Sequence, residues 1–277
     1  LWEGDGVDER GRPMLSLGAK GVLSVELEAH GPSSDAHSQW APLIPNPAWR
    51  LVWALSSMKH ADERIRILGW YDDVKEPSDA ENKLLSELKF DEADEKRRFG
   101  VGEFLRGLTG VESRKALYQG CTCNICGLDS GYRGPGSKTV IPAVAKAKLD
   151  FRLVEAQNAD KQLNLLTAHL RSEGFGDVTI GKFGGYEAAK TPPDDPFVGF
   201  VAERLKEVYA SEPVVVPTVD GTSPIYLIRN LMGIPVVSCG GVGNPESNIH
   251  SPNENVRIGD FVRSIKFIAK LMVSYAT

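Results

Sequence analysis

Two of the five histidines stand where their neighbours could turn them into working groups. His250 closes a glycine-rich run, Gly240-Gly241-Val242-Gly243-Asn244-Pro245-Glu246-Ser247-Asn248-Ile249-His250, which follows a short apolar stretch. Loops at the carboxyl ends of strands are where layered α/β sheets present ligands. An imidazole there can bind a metal through one nitrogen when a partner fixes the other. The competing reading is a loop histidine held by Asn253 or Glu254. His37, in Asp35-Ala36-His37-Ser38, lies between a strand pattern and a capped helix. It can donate a hydrogen bond to a developing oxyanion, or be an ordinary surface histidine. Glu3 sits in Trp2-Glu3-Gly4-Asp5-Gly6, where glycines beside carboxylates suit a metal ligand and equally suit any turn.

Other chemistries find less support. Cys121-Thr122-Cys123-Asn124-Ile125-Cys126 invites a zinc or iron–sulfur reading, but a closed zinc site needs four ligands, no second cysteine pair follows, and Cys239 is distant. There is no G-x-x-x-x-G-K-[ST] phosphate loop and no G-x-G-x-x-G opening a helix. The G-x-S-x-G elbow that would carry a nucleophilic serine is absent too.

The 277 residues, 42% hydrophobic and 25% charged, suffice for one large domain or two smaller ones. A net charge of -5 with no basic stripe argues against nucleic acid. Apolar runs such as Val214–Val216 are too short to cross a bilayer, so no membrane partner is expected. Four cysteines fit a reducing compartment, which points to the cytoplasm. Leu1 is not an initiator methionine and Trp2-Glu3-Gly4 reads like the interior of a domain, so the natural N-terminus is expected upstream.

These residues need elements to hold them. Residues 21–29 alternate apolar and polar, the period of a half-buried strand, and residues 139–154 do the same. Residues 46–58 read as a helix, with Asn46 as N-cap and Pro47 at the first helical position. Residues 65–70 look like another strand. Residues 78–89 can form a helix, and the charged run 91–98 reads as a solvated face or loop. Residues 159–172 form a helix with Leu163, Leu166 and Leu170 on one face, stopped by Gly174, and a strand begins near 177–180. The proline-rich segment 191–196 is the best linker candidate. Beyond it helix 197–209, strand Val214–Val216, helix 223–230, strand 234–238 and helix 259–275 alternate, as in a layered α/β unit.

Taken together, the motifs resemble the M20 metallopeptidase family, especially its carnosinase-like dipeptidase branch, in the same order along nearly the whole chain. Trp2-Glu3-Gly4 resembles the segment of the acidic metal ligand. Pro13-Met14-Leu15-Ser16-Leu17-Gly18-Ala19-Lys20-Gly21 is similar to the crossover into the family's lid, and Ala36-His37-Ser38 with Asn46-Pro47 to its His-Ser…Asn-Pro signature. Gly131-Tyr132-Arg133-Gly134-Pro135-Gly136-Ser137-Lys138-Thr139 and Asp150-Phe151-Arg152-Leu153-Val154 are similar to the second lid motif. Thr218-Val219-Asp220-Gly221-Thr222-Ser223 resembles a substrate-binding turn that usually reads Glu-Gly-Gly-Ser, with Thr222 in place of a glycine. His250-Ser251-Pro252-Asn253-Glu254 is similar to the terminal metal-ligand motif.

The resemblance implies an α/β and α+β fold: the end of a zinc-peptidase catalytic domain with an inserted lid, an antiparallel four-stranded sheet with two helices. Its units would be a catalytic segment 1–16, a lid and dimerisation domain 17–190, and the C-terminal catalytic part 191–277. It implies two zinc ions, with other divalent metals such as manganese as alternatives, held here by Glu3 and His250. His37 would stabilise the tetrahedral oxyanion, reaching across a homodimer formed through the lid, with Thr139 beside it. Arg152 and Ser223 would hold the substrate carboxylate, Asp220 the amine, and Asn46 would complete the lid signature. The substrate would be a peptide or an N-acyl-amino acid. The family's His-x-Asp motif, bridging Asp and Glu-Glu pair are expected upstream of Leu1, so the chain alone is expected to be inactive. An N-acyl-amino-acid amidohydrolase and a non-catalytic dimerisation module are the alternatives.

Overall fold

The computed structural model describes residues 6–249 and 251–276, with the backbone alone at Asp220. Strand β1 (Met14–Ser16) leads into the long strand β2 (Gly18–His30), followed by β3 (Ala36–His37) and helix α1 (Pro47–Met58). Three helices come next, α2 (Asp79–Glu87), α3 (Glu92–Phe99) and α4 (Gly110–Gln119). Strands β4 (Asn124–Ser130), β5 (Val140–Ile141) and β6 (Val144–Leu153) precede helix α5 (Ala159–Ser172). The chain continues through β7 (Thr179–Tyr186), β8 (Ala189–Lys190), α6 (Pro196–Tyr209), β9 (Val214–Val216), β10 (Val219–Thr222), β11 (Ser238–Cys239) and α7 (Ile258–Ala276). No helix among the described residues is long and apolar enough to cross a membrane.

The central sheet is antiparallel, in the order β7-β2-β6-β4. Its register pairs Leu23 with Phe151, Val25 with Leu149 and Leu27 with Ala147, all buried on one face. Alternation sends Ser24, Glu26 and Glu28 to the other face, beside Lys146. Two helices cover the apolar face. In α1, Asn46 caps the start by accepting from the Ala48 N–H at 2.9 Å, and Leu51, Ala54 and Met58 turn inward. In α5, capped by Asn158, Leu166 and Leu170 turn inward. The four-stranded sheet with two helices is the arrangement that the family resemblance implies.

A second layer has strand order β11-β1-β9, with β1 parallel to β9 and antiparallel to β11. Helices α6 and α7 bury Val201, Leu205 and Phe267 against Leu15 and Leu17. Gly240 passes under Phe267 at a φ of +71°, where a Cβ would lie 2.6 Å from the ring. Only glycine fits there.

Several elements depart from expectation. Residues 65–70 are not a strand: beyond the bridge between Lys59 and Ile65 the chain turns at Gly69, φ +78°. Ile65, Ile67 and Trp70 are buried all the same, and Trp70 packs on Phe151 with centroids 4.8 Å apart. The charged run at 91–98 is a solvated face as expected, carried mostly by the helix α3, in which no residue is buried. Residues 139–154 are interrupted between β5 and β6, where Pro142 falls. Residues 223–230 are only partly helical and continue as a π-helical turn, Leu227–Leu231. Of 234–238 only Ser238 joins a strand. The segment 191–196 crosses between the two layers, and its first residue is firmly seated. Thr191 is fully buried, its hydroxyl donates to the Val236 carbonyl at 2.7 Å, and its N–H donates to the Leu17 carbonyl at 2.8 Å.

The helices α2 to α4 form an excursion that returns to the second layer. Leu84 packs with the core around Leu15 and Phe267. Glu81 and Glu155 both pair with Lys190, the latter at 2.7 Å. Burial raises the Glu81 carboxyl, but the Lys190 ammonium and the Ser78 cap outweigh it and hold the group below its ordinary value.

One buried titratable group joins the two helices on the central sheet. The Ser57 hydroxyl donates to the Ala54 carbonyl at 2.7 Å, so its oxygen accepts from His169 Nε2 at 3.1 Å. Burial pushes the His169 imidazole below its ordinary 6.5. The unfolded chain therefore takes up the proton first, and the contribution to stability, complete above about 6.5, is lost as pH falls below it. Lowering the pH from about 7.5 to about 5.5 should reduce the denaturant midpoint, and His169→Gln should flatten that fall. An unchanged slope in the variant would remove His169 as its source.

Candidate functional site

The predicted site residues fall into two clusters at opposite ends of the central sheet. At the Val144 end, β3 and β5 form a two-stranded ribbon, pairing His37 with Val140. The Asp35 carboxylate anchors it by accepting from the Ala143 N–H at 2.9 Å. Gln39 donates its N–H to His37 Nδ1 at 3.1 Å, which puts the proton of the neutral ring on Nε2. Nε2 lies 3.4 Å from Thr139 Oγ1, and the ring is exposed. His37 thus presents an N–H outward beside a hydroxyl, the geometry of a donor awaiting an acceptor. Asn46 has its side-chain oxygen engaged as the α1 cap. Any substrate contact would fall to its amide nitrogen.

At the other end, Arg152 lies next to the last residue of β6, its guanidinium donating from Nη1 to Thr222 Oγ1 at 2.6 Å. Thr222 in turn reaches the Gly21 carbonyl at 3.4 Å. Asp150 lies 3.6 Å from Arg152 Nε. The next residue, Ser223, has a buried hydroxyl oxygen with no hydrogen-bond partner among the described residues. A buried polar atom left unpaired costs free energy, and such atoms mark places where a ligand or water belongs. Asp220 lies in the same strand, β10, but its side chain is outside the described residues. A strand rises about 3.4 Å per residue, so Val144 and Arg152 stand about 27 Å apart. The His37 and Arg152 clusters do not meet within one copy of the chain.

Glu3 and His250 lie outside the described residues. The segments leading to them are in contact. Val7 donates its N–H to the Gly243 carbonyl at 2.9 Å, and a Cβ on Gly6 would lie 1.8 Å from that oxygen. A cleft of about 1130 Å³ opens beside this contact, between Val7, Asn244 and Ile249 on one wall and Phe90, Glu95 and Arg114 on the other. Among the described residues no group of three or more His, Cys, Asp or Glu side chains converges to hold a metal. The cysteines offer packing instead. Burial pushes the Cys123 thiol up to about 12 and raises Cys121. Cys126 donates to Asp150 Oδ1 at 2.8 Å.

A two-helix antiparallel sheet beside a small α/β layer, with a polar turn between them, defines a mixed α/β fold of the metallopeptidase kind. Residues 17–178 match the M20 peptidase dimerisation domain. The chain belongs to the M20 peptidase family. It is 38% identical to an M20 family metallo-carboxypeptidase from Sulfolobus solfataricus, with a TM-score of 0.93 over 97% of this chain and 61% of that one. It is 25% identical to the Cys-Gly metallodipeptidase of Candida albicans over 95% of this chain and 55% of that protein. Human carnosine dipeptidase 1 shares the fold at a TM-score of 0.80 and 22% identity, covering 94% of this chain and 56% of that one. The chain thus spans about half the length of the curated relatives it matches. Membership in a metallopeptidase family implies a divalent metal in the catalytic centre.

The contact at Gly6 yields a test. Its obstacle is backbone, which cannot rotate away. Gly6→Ala should therefore cost about 1–3 kcal/mol, measured as a lower denaturant midpoint. A midpoint equal to the parent's would mean that the two segments separate without penalty.

Proposed function

We propose that this chain is the substrate-clamping part of a zinc-dependent hydrolase that cleaves peptide bonds, in dipeptides or at peptide C-termini. The observation that carries the reading is a guanidinium, Arg152, held by Thr222, with an unpartnered buried hydroxyl on the next residue in the chain, Ser223. A planar guanidinium and a hydroxyl donor suit a carboxylate. We assign Arg152 and Ser223 to the substrate's α-carboxylate, Asp220 to its amine, and Asn46 and Thr139 to the surroundings of the scissile carbonyl.

His37 is assigned to the oxyanion. Its Nε2–H donates to the oxygen that gains charge as the carbonyl becomes tetrahedral, and Thr139 steadies the ring. Because His37 and Arg152 lie at opposite ends of the sheet, both can act on one substrate only if a second copy supplies one of them. That favours a homodimer through residues 17–190, the part we read as the lid, with 1–16 and 191–277 as catalytic segments. The outer face of α1 suits such a contact, since Trp49, Val52 and Trp53 are exposed there and the two indoles stack at 5.9 Å.

Glu3 and His250 are the proposed metal ligands. Carboxylate and imidazole are ordinary zinc donors, and the Gly6–Gly243 contact links the segments that carry them. Two zinc ions bound in the complete enzyme would supply a water of lowered pKa. Two ligands do not build a dinuclear site, so the remaining donors would lie outside these residues.

In the full-length protein His37→Ala should lower kcat by about two to three orders of magnitude, as for loss of one oxyanion donor, with zinc content unchanged by elemental analysis. Loss of zinc would instead make His37 a ligand. Substrate profiling separates this reading from an N-acyl-amino-acid amidohydrolase, which would release acyl groups and no amino acids. A full-length protein that binds no metal and cleaves neither class would be a binding module. Co-expressing His37→Ala and Arg152→Met subunits should restore about a quarter of parental activity, since half the dimers are mixed and each mixed dimer has one intact site. No recovery in isolated mixed dimers would rule out action across subunits.

A further inference from the structure

The Arg152 guanidinium has an unusual partner. It is held at 2.6 Å by a neutral hydroxyl, Thr222 Oγ1, while Asp150, its ion-pair partner among the described residues, stays at 3.6 Å from Nε. Thr222 is itself tied to the backbone of β2 through the Gly21 carbonyl, and its strand pairs with β2 at Lys20. Arg152 and Thr222 thus lie in two strands that both pair with β2, and both are half-buried. A guanidinium has five N–H donors in a rigid fork. Thr222 takes one and adds no negative charge of its own, so the charge is offset only by Asp150 at 3.6 Å among the described residues. An arginine side chain otherwise loses considerable rotamer freedom when it grips a ligand, and a fork already held gives up less on binding.

We propose that Thr222 is a positioning residue. It fixes the direction of the Arg152 fork at the turn that carries Ser223, and so makes the site select peptides with a free C-terminal carboxylate over those ending in an uncharged amide. This deepens the reading of Arg152 as the carboxylate anchor and rests on it. A carboxylate offers two acceptor oxygens to the fork and accepts from Ser223 as well. A carboxamide offers one acceptor and sets its NH2 against N–H donors, leaving donors unpaired.

The test uses full-length, metal-loaded protein and matched pairs of substrates, Cys-Gly and Ala-Leu, each with its C-terminal amide. The readout is the acid-to-amide ratio of kcat/KM. Thr222→Val removes the hydroxyl at nearly constant shape, and should lower kcat/KM for the free acids by about ten- to a hundredfold, mainly through KM, with the amides nearly unchanged. Thr222→Ser should restore the ratio, because it returns the hydroxyl. If the valine variant does not fold, Thr222→Ala serves in its place. A variant that folds and keeps the parental ratio, or loses acids and amides equally, overturns the positioning role. Arg152→Met separates the two levels. If it abolishes the ratio while Thr222→Val does not, the carboxylate anchor stands and Thr222 is not its positioner. If Arg152→Met leaves the ratio intact, or the parent cleaves neither acid, the underlying reading fails and this one falls with it.

Discussion

The unbroken antiparallel pairing of β2 with β6 is the constraint on which the other parts depend. From Gly21 opposite Leu153 to His30 opposite Val144, every residue has its partner. The register is strongly specified because the two faces differ so much. A slip of one residue would turn Leu23, Val25 and Leu27 outward and carry Glu26 and Glu28 into the apolar layer under α1 and α5. The same ladder sets the scale of the site. It places Arg152 near one end and the His37 ribbon beyond the other, at a separation no side chain spans. Local motion of side chains therefore cannot bring the two clusters together within one copy of the chain.

The second constraint is the way the two layers are held together. The backbone passes between them at Leu17 and near Thr191, and these crossings are hydrogen-bonded to each other. The excursion α2–α4 adds a third tie, with Leu84 in the core of the second layer and Glu81 on Lys190. A buried ion pair of this kind contributes little net stability, because desolvation of both charges offsets their attraction. Its effect is on geometry: an ammonium shared by two carboxylates from different parts of the chain tolerates few arrangements. The polar turn carrying Thr222 and Ser223 thereby keeps a fixed relation to Arg152.

Where a segment carries a strong period or a cap, its structure is legible in the residues. The strand β2 and helices α1, α5, α6 and α7 follow from alternation, from Asn46-Pro47, and from apolar spacing. Residues 65–70 mislead because Ile65 and Ile67 alternate with Arg66 like a strand, with Trp70 close behind. Their burial is real, but it comes from a turn tucked beside Phe151, and alternation cannot distinguish the two. The prolines at 192, 193 and 196 suggested a linker by propensity, whereas Thr191 is pinned by tertiary hydrogen bonds that no local signal reports. The site is legible to a different degree. His37 drew notice from its neighbours alone. Arg152, Ser223 and Thr139 gain meaning only from the resemblance, because a single arginine in a strand has no periodic signature. The partnership of Thr222 with Arg152 joins residues far apart in the chain, and only the fold brings them together.

That partnership also bears on why a hydroxyl stands at this place. A carboxylate at hydrogen-bond distance would hold a guanidinium more strongly, but it would neutralise the charge and occupy the same edge of the fork that an incoming carboxylate needs. Asp150 comes close to such a rival: its Oδ1 accepts from Asn124 at 2.9 Å and from Cys126 at 2.8 Å, while its Oδ2 stays at 3.6 Å, beyond hydrogen-bond distance of Nε. A glycine in place of Thr222 would leave the fork free to turn toward Asp150. The threonine resolves this competition by fixing direction without supplying charge. The proposed clamp then has a positive group whose position is set by neutral contacts, and whose remaining electrostatic demand can be met by a ligand.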